Sequence, residues 1–301
     1  MMEAFVNYYD KFRCIAHKCR HSCCIGWEID IDSDTMEIYS SLDGELGERI
    51  RENIDKNKGC FKLKEDDRCP FLNEKGLCDI INEYGEDALC DICYLHPRFK
   101  NFYTDFTETG LGLCCEEAAR IILSEEEKFF VIYPDGIKFT SEEKEFLIKR
   151  GEIFKILQNR EKNIGGRFRE LAEKYGININ PDIDKLKKTF LSLERLDESW
   201  EDEINRVDGI SFENDEYALF FEQLSVYFIF RHLKMKSLKE GVNFTLLSCL
   251  LIGGILNSYK ETLTREKAYD IARMFSSEVE YSEENTGKIK CFNVDKEINI
   301  C

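Results

Sequence analysis

Cysteines are concentrated in the first part of the chain, in short blocks whose members lie a few residues apart. Eleven of the 14 cysteines lie within residues 1–115. The blocks consist of Cys14, then Cys19, Cys23 and Cys24, then Cys69 and Cys78, then Cys90 and Cys93, then Cys114 and Cys115. Turns can direct such thiolates at a common centre, and crowded thiolates repel each other unless a cation lies among them. The pattern therefore favours a metal, and zinc and an iron–sulfur cluster both stay open because each accepts four thiolates.

Two other chemistries use the same residues. Disulfides need an oxidising compartment, and adjacent cysteines such as Cys23 and Cys24 rarely bridge each other without strain. A redox pair at "CDIC" has the C-x-x-C spacing of Cys90 and Cys93, but no thioredoxin-like strand and helix surround it. Both interpretations are weaker than the metal.

Composition and charge narrow the class of protein. The 301 residues include 43% apolar side chains, enough for a core that needs no disulfides. No signal peptide is visible, so we expect a cytoplasmic protein with reduced thiols. Two apolar stretches, 217–230 and 242–256, are shorter than a membrane span, which predicts buried helices and no membrane partner. A net charge of −17 disfavours a nucleic-acid partner; it would attract basic groups on another protein, although it equally serves solubility.

The sequence pattern changes near residue 135, at "YPDG". Short elements, including short strands, are expected before it, and helical periodicity predominates after it. We therefore predict a mainly α fold, with a cysteine-rich metal-binding module over 1–135 followed by a bundle-like helical region over 136–301. The helices of the second region are expected at about 141–160, 164–175, 182–197, 213–236, 243–260 and 264–279.

Two helices are also expected inside the cysteine-rich module. Apolar spacing over 34–53 predicts one helix with Ser33 or Asp34 as its cap, although two internal glycines weaken it. A second is predicted over 109–130 with Thr109 as its cap. The last cysteine block would then lie in the first turns of this helix, where the amide dipoles favour a thiolate.

Four segments, in order along the chain, carry a resemblance to a known family. They are "FRCIAHKCRHSCCIGWEIDID" at 12–32, "CPFLNEKGLCDI" at 69–80, "LCDICYLHPR" at 89–98 and "GLCCEEAAR" at 112–120. With their flanking residues they resemble the flagellin lysine-N-methylase family, a branch of the zinc- or iron-chelating proteins with a CxxCxxCC signature. The resemblance covers residues 5–123.

The resemblance implies a set of cysteine ligands. These are Cys14, Cys19, Cys23, Cys24, Cys69, Cys78, Cys93 and Cys115. Cys60, Cys90 and Cys114 stand where the pattern has no cysteine, so we expect them to be spare thiols. Eight sulfur atoms exceed the need of one four-iron cluster, which leaves either two metal sites or sulfur atoms that only hydrogen-bond to ligands. His17 or His21 could also replace a thiolate.

The same resemblance implies a reaction. This is methyl transfer from S-adenosylmethionine to lysine side chains exposed on a protein, flagellin or one like it, with a 4Fe-4S cluster required and zinc as the alternative. The radical S-adenosylmethionine motif is absent from the sequence, because Gly26 stands where its third cysteine would be. The competing interpretation is a non-catalytic iron–sulfur or zinc protein that transfers electrons or acts as a scaffold.

Roles for individual side chains follow from that reaction. Lysine attacks a methyl sulfonium only as the neutral amine, so a base is needed. Asp30, Asp32 and Tyr39 are candidates, although the two aspartates are better explained as residues that follow a strand and cap the next helix; the catalytic residue stays unknown. Arg98 could pair with the cofactor's carboxylate and Trp27 could lie against its cation, and both could instead be structural.

Overall fold

The computed structural model describes residues 1–212 and 215–292. Thirteen α-helices and six short strands are present in this part of the chain. In chain order they are β1 (Met2–Val6), α1 (Ser33–Ser41), α2 (Gly44–Glu52), β2 (Ile54–Asp55), β3 (Cys60–Phe61), α3 (Asp79–Tyr84), α4 (Asp91–Leu95), β4 (Arg98–Phe102), β5 (Phe106–Leu111), α5 (Glu116–Leu123), β6 (Val131–Ile132), α6 (Ser141–Leu157), α7 (Ile164–Tyr175), α8 (Ile183–Leu191), α9 (Ser199–Asn205), α10 (Ala218–His232), α11 (Leu238–Tyr259), α12 (Arg265–Phe275) and α13 (Glu283–Lys290). A π-helical turn, Ser276–Glu280, directly follows α12. The prediction of a mainly α fold is confirmed.

The chain divides into two compact units. Arg13–Phe99 forms one, which we name the cysteine unit. Met1–Phe12 and Lys100–Cys301 form the other, which we name the helical unit. The boundary predicted near residue 135 follows the end of the cysteine blocks, and as the limit of a metal-binding module it stays a prediction.

Two helices in the cysteine unit replace the single helix predicted over 34–53. α1 is capped by Asp32, whose carboxylate accepts a hydrogen bond from a first-turn backbone N–H at 2.9 Å, rather than by Ser33 or Asp34. α2 begins at Gly44, whose φ of +86° is a left-handed conformation that glycine adopts without a steric penalty. The internal glycine therefore marks a break between two helices.

An aromatic core holds the cysteine unit together. The ring of Phe61 lies 5.8 Å from that of Tyr39 and 4.9 Å from that of Phe71, and all three side chains are buried. The Tyr39 hydroxyl donates to the carbonyl oxygen of Ala88 at 2.8 Å. The cysteines in or against this core are Cys24, Cys69, Cys78, Cys90 and Cys93. Apolar packing thus brings together loops that carry sulfur from three of the blocks.

A four-stranded sheet lies in the helical unit, with strand order β4-β5-β1-β6. β1 pairs in parallel with β5, with Met2 opposite Phe106, and antiparallel with β6. All six residues of β5 are buried, including Thr109. The prediction that Thr109 caps a helix over 109–130 is therefore wrong, and α5 begins only at Glu116. A strand that is buried on both faces lacks the alternation that would have identified it.

The helices of the second region follow the predicted periodicity. α6 begins with a capping box, in which Thr140 accepts from the backbone N–H of Glu143 and the Glu143 side chain accepts from the backbone N–H of Thr140. α7 has the predicted bounds. The helix expected over 182–197 instead ends at Leu191, and α9 follows as a separate helix. The last three predicted helices are present as α10, α11 and α12, and residues 213 and 214 of the first prediction lie outside the described part.

α10 and α11 form the core of the helical unit. Eleven consecutive residues of α10, from Phe220 to Phe230, are buried, and so are all residues of α11 from Gly241 to Leu256. Within the described residues, one helical segment, Leu238–Thr262, is long and apolar enough to cross a membrane, with a mean hydropathy of 1.5. Its most apolar window is 89% buried inside the protein, as is normal for the core helix of a globular unit. The interpretation of both apolar stretches as buried helices agrees with this burial.

Candidate functional site

Backbone pairing brings the block of Cys19, Cys23 and Cys24 next to the block of Cys69 and Cys78. The N–H of Cys69 donates to the carbonyl oxygen of Cys24 at 2.9 Å, beside an antiparallel bridge between Ile25 and Arg68. Cys78 follows after a tight loop in which it bridges Leu72. Three thiols from distant parts of the sequence therefore lie close enough for their charges to interact.

The block of Cys90 and Cys93 adds two more thiols to this group. Cys90 precedes α4 and Cys93 lies in its first turn, where the N–H of Cys93 donates to the carbonyl oxygen of Cys90 at 2.9 Å. The charges of Cys24 and Cys69 act on Cys93 as well. We name these five thiols, Cys24, Cys69, Cys78, Cys90 and Cys93, the thiol cluster.

The pKa values of the thiol cluster are strongly perturbed. Burial, followed by the charges of Cys24 and Cys78, raises the pKa of Cys69 to about 12. A hydrogen bond to Cys90, together with burial, raises the pKa of Cys93 well above its ordinary value. A hydrogen bond from Cys23 and the nearby Arg68 charge lower the pKa of Cys24 to about 6. Sulfur atoms packed in this way keep most of their protons unless a cation compensates their charge.

The chemistry of the thiol cluster fits a soft metal better than it fits disulfides. All eleven cysteines of residues 1–115 are free thiols, and Cys291 is disulfide-bonded. Thiols that converge from separate loops are the donors that zinc and iron–sulfur clusters take. Among residues 1–212 and 215–292, however, no three His, Cys, Asp or Glu side chains form a group that could hold a metal ion. The donor types fit, and the metal itself stays a prediction.

Four of the eight cysteines predicted as ligands lie outside the thiol cluster. Cys14 is exposed, and its sulfur accepts a hydrogen bond from the N–H of Ala16 at 3.4 Å. Cys19 and Cys23 are half-buried, and Cys23 hydrogen-bonds to Cys24. Cys115 belongs to the helical unit, directly before α5. As ligands these four cysteines stay predictions.

Among the thiols expected to be spare, Cys60, Cys90 and Cys114 differ in surroundings. Cys90 is fully buried inside the thiol cluster, although the family pattern does not ask for it. Cys60 donates its S–H to the carboxylate of Glu28 at 2.9 Å, which with burial raises the pKa of Cys60 to about 11. Burial likewise raises the pKa of Cys114 in the helical unit, although the charge of Arg231 opposes it.

The two predicted cofactor contacts both interact with loop backbone. One guanidinium nitrogen of Arg98 donates to the carbonyl oxygen of Tyr94 at 3.1 Å and of His96 at 3.5 Å. The indole N–H of Trp27 donates to the carbonyl oxygen of Cys23, and its ring lies 5.9 Å from that of His96. These contacts hold the loops of the cysteine unit, and contact with a cofactor stays a prediction for both residues.

Two of the three candidate bases have structural partners. The Asp32 carboxylate accepts from Thr35 and from the backbone N–H of Asp91, and although burial opposes the shift, these hydrogen bonds lower the pKa of Asp32. Tyr39 is buried, and burial raises its pKa far above neutrality. Neither group is suited to take a proton from lysine. Asp30 is exposed and forms a backbone bridge with Cys60.

A cleft opens beside Trp27 within the cysteine unit. Its volume is about 400 Å³. We name it the Trp27 cleft, and it is lined by Gly26, Trp27, Glu28, Asp55, Lys58, Cys60, Phe61, Lys62, Leu63 and Asp67. Three carboxylates, two ammonium groups and two aromatic rings therefore line one depression. Sequence reasoning singled out Trp27 but none of the charged residues around it, which are the adjacent Glu28 and four residues about 30 to 40 positions further along the chain.

A second cleft, of about 460 Å³, lies in the helical unit. Phe168 and Phe212 supply aromatic surface, with ring centroids 5.1 Å apart, and Ile183 and Leu250 add aliphatic surface. Arg169 is exposed at this cleft and has no ion-pair partner among the residues that the structure describes. We name it the Arg169 cleft. Within the described part of the chain, it combines an apolar floor with the exposed positive charge of Arg169.

Sequence reasoning also missed a buried ionic network in the helical unit. The Glu280 carboxylate, in the π-helical turn, accepts from the hydroxyl of Tyr227 and contacts Arg231 and His232. Burial alone would raise the pKa of Glu280, but Arg231 and His232 outweigh it and lower the pKa to about 2. Burial lowers the pKa of His232 to about 4. His232 is therefore a buried core residue whose ring nitrogen is partnered by a carboxylate.

Comparisons with known proteins indicate one family. The family model of the FliB lysine N-methylase C-terminal domain matches residues 111–296. The flagellar biosynthetic protein FliU of Salmonella muenchen is 32% identical over 132 residues, which are 41% of this chain and 76% of that protein. No solved structure matches the chain.

Two lysine-N-methylases are similar over a stretch of the same size. Those of Salmonella typhimurium strain LT2 and Salmonella choleraesuis strain SC-B67 are each 32% identical over 132 residues, which are 41% of this chain. The match spans 32% of the length of each of these relatives. The family model covers the helical region and the last cysteine block, Cys114 and Cys115, and does not extend to the earlier cysteine blocks.

Proposed function

The chain belongs to the FliB lysine N-methylase family, and on that premise we propose that it transfers methyl groups from S-adenosylmethionine to lysine side chains exposed on a protein. The observation that carries the proposal is the family match over residues 111–296. The substrate we propose is flagellin or a flagellin-like protein, encountered in the cytoplasm. The names of the matching relatives, a flagellar biosynthetic protein and lysine-N-methylases, support this choice.

We propose further that the thiol cluster holds a 4Fe-4S cluster, with zinc as the alternative. Its sulfur atoms come from three loops and lie against one apolar core, which supports a shared centre. When bound, such a group would tie the loops together and supply either a Lewis acid or an electron carrier. The chain's own contribution is to keep these loops in place through Arg98, Asp32 and the aromatic core.

For S-adenosylmethionine, the Arg169 cleft offers the matching surface. The cofactor combines an aromatic base with an amino-acid carboxylate. Phe212 could pack against the base, with the buried Phe168 behind it, and the exposed guanidinium of Arg169 could bind the carboxylate. Binding there would orient the cofactor and exclude water from its apolar part.

The acidic character of the chain supports a basic partner. With a net charge of −17, the protein attracts a surface that presents lysines and raises their local concentration. The ammonium must then lose a proton before it can attack, because only the neutral amine has a free electron pair.

The experiment combines metal analysis with mass spectrometry. The full chain is purified without oxygen, its iron, sulfide and zinc are measured, and its visible spectrum is recorded before and after dithionite. It is then incubated with S-adenosylmethionine and flagellin, and the flagellin is examined for mass steps of one methyl group. Methylated lysines support the proposal. A protein that binds metal but methylates no flagellin would favour the scaffold or electron-transfer alternative, and stoichiometric zinc without iron would reject the iron–sulfur cluster.

A further inference from the structure

The Trp27 cleft has a fixed aromatic wall. The indole N–H of Trp27 donates to the carbonyl oxygen of Cys23, and the ring packs beside the imidazole of His96. Trp27 nevertheless stays partly exposed, so one part of the ring faces the cleft. An indole face attracts a cation within about 6 Å of its centre.

Carboxylates surround this aromatic wall. Glu28 directly follows Trp27 in the chain, and its carboxylate is held by the S–H of Cys60 at 2.9 Å. Cys60 is only 3% exposed, so the Glu28 carboxylate is held in position by a buried S–H donor. Asp67 also lines the cleft, and its carbonyl oxygen accepts from the N–H of Gly26 at 3.1 Å. The site is therefore a shaped depression with an aromatic side and an anchored anionic side.

The chain already places an ammonium group at this depression. Lys58 has its Nζ 3.9 Å from the Glu28 carboxylate, at the outer limit of an ion pair, and its side chain is 65% exposed. Such an exposed, long ion pair contributes little to stability and is easily exchanged for another ammonium. The second lysine, Lys62, donates its Nζ to the carbonyl oxygen of Glu52 at 2.9 Å and does not compensate Glu28.

We propose that the Trp27 cleft is the receptor for a lysine side chain of the protein substrate. The methylene chain of that lysine lies against Trp27, and its ammonium replaces Lys58 beside Glu28. The inference rests on the proposed function and adds the place where the target side chain is recognised. It concerns the capture of the charged ammonium only; the loss of the proton and the methyl transfer are later steps that are not placed in this cleft.

Binding to the full, metal-loaded chain tests the proposal directly. The probes are the peptide acetyl-Gly-Lys-Gly-amide and its norleucine counterpart, which keeps the methylenes and lacks the ammonium. Saturation-transfer NMR titrations should show that the lysine peptide binds about tenfold more tightly than the norleucine peptide. Glu28→Gln should remove that preference, and Trp27→Leu should weaken both peptides.

A matched control separates this site from general acidity. Glu48→Gln removes one exposed carboxylate from α2 of the same unit and should leave both titrations unchanged. Lys58→Met should tighten the lysine peptide, because it removes the internal competitor. This gain of binding cannot arise from misfolding. Equal affinity of the two peptides, or equal effects of Glu28→Gln and Glu48→Gln, would overturn the proposal.

The result of the peptide titrations does not depend on whether the protein transfers methyl groups. If the lysine peptide binds as described but no protein is methylated, the receptor stands and the proposed function fails. If flagellin is methylated and Glu28→Gln leaves its KM unchanged, the function stands and the receptor is wrong.

Discussion

The carboxylate of Glu280 is buried away from water, so its charge depends on the side chains that contact it. Its side chain is 1% exposed. It accepts a hydrogen bond from the Tyr227 hydroxyl at 3.0 Å and forms an ion pair with Arg231. A buried carboxylate stays ionised only where partners of this kind compensate the loss of hydration. His232 lies against the same carboxylate as a neutral ring, because burial lowers its pKa to about 4.

This network predicts a loss of stability in acid. The unfolded chain binds a proton on His232 near pH 6.5, whereas the folded chain does so only near pH 4, so the free energy of unfolding falls as the pH falls between these values. Glu280 acts in the same direction between about pH 4.5 and about pH 2. Urea unfolding from pH 7 to pH 4 should show a loss on the order of 2 kcal/mol from His232.

His232→Gln should flatten that dependence, and substitution of the exposed His17 should not. Parallel pH curves for the wild type and the His232 variant would contradict the assignment. Glu280→Gln should cost about 3 kcal/mol, because it removes the buried carboxylate that compensates the charge of the largely buried Arg231.

The thiol cluster gives a second prediction at the scale of single residues. Cys69→Ala and Cys93→Ala should each lose the metal, because ligand binding and folding of the loops share one free energy. Cys249→Ala, which also removes a buried thiol, should keep full metal content because Cys249 lies in the core of α11. Elemental analysis of anaerobic preparations measures both. Equal metal loss in all three variants would show that the thiol cluster is not the binding site.

A third prediction concerns the cofactor. Arg169→Gln should weaken the binding of S-adenosylhomocysteine about tenfold, since the carboxylate loses its charged partner. Isothermal titration measures the affinity without any turnover. Substitution of Arg195, which already pairs with Glu201 at 2.9 Å, serves as the control. Unchanged binding by the Arg169 variant would remove the Arg169 cleft from the proposed function.

At the scale of elements, glycine sets how closely α10 and α11 approach. A Cβ atom on Gly241 would lie 2.9 Å from the Cα of Leu233 and 3.2 Å from the carbonyl oxygen of His232. These are backbone atoms, so they cannot move aside as a flexible side-chain end would. The first turn of α11 therefore packs directly on the end of α10.

Two glycine-to-alanine substitutions test this packing. Gly241→Ala should destabilise the protein by about 1 to 3 kcal/mol, because the added methyl group forces the helix ends apart. Gly151→Ala, inside α6 with nothing within 4 Å of its added Cβ, should instead stabilise it by about 0.5 to 1 kcal/mol through the unfolded state. Thermal unfolding of both variants gives the sign. Effects of the same sign would mean that the close contact is not structurally important.

At the scale of the whole molecule, the division into two units predicts unequal dependence on metal. Chelation should loosen the cysteine unit, in which the predicted ligands hold the loops, and leave α10 and α11 intact because their stability comes from apolar burial. Hydrogen exchange read by mass spectrometry should therefore rise in peptides from Arg13–Phe99. A uniform increase along the described chain would contradict the separate origins of stability.

Much of the helical unit could be predicted from local pattern. α6 and α7 begin where a cap precedes an apolar stripe, and both features lie within one or two turns of sequence. β5 could not be predicted in this way. It is buried on both faces and pairs with β1, about 100 residues earlier, and its buried Glu108 forms an ion pair with Arg150 of α6.

The sequence by itself determined the helical periodicity of the second region, the cysteine blocks and the acidic charge, since these are properties of composition and short spacing. Only the tertiary structure decided that Cys90 joins the thiol cluster, that Cys60 anchors Glu28, and that Glu280 lies among Arg231 and His232. The physical reason is that burial and charge compensation depend on partners far apart in the chain. Their pairing follows from how the elements pack, which no local spacing encodes.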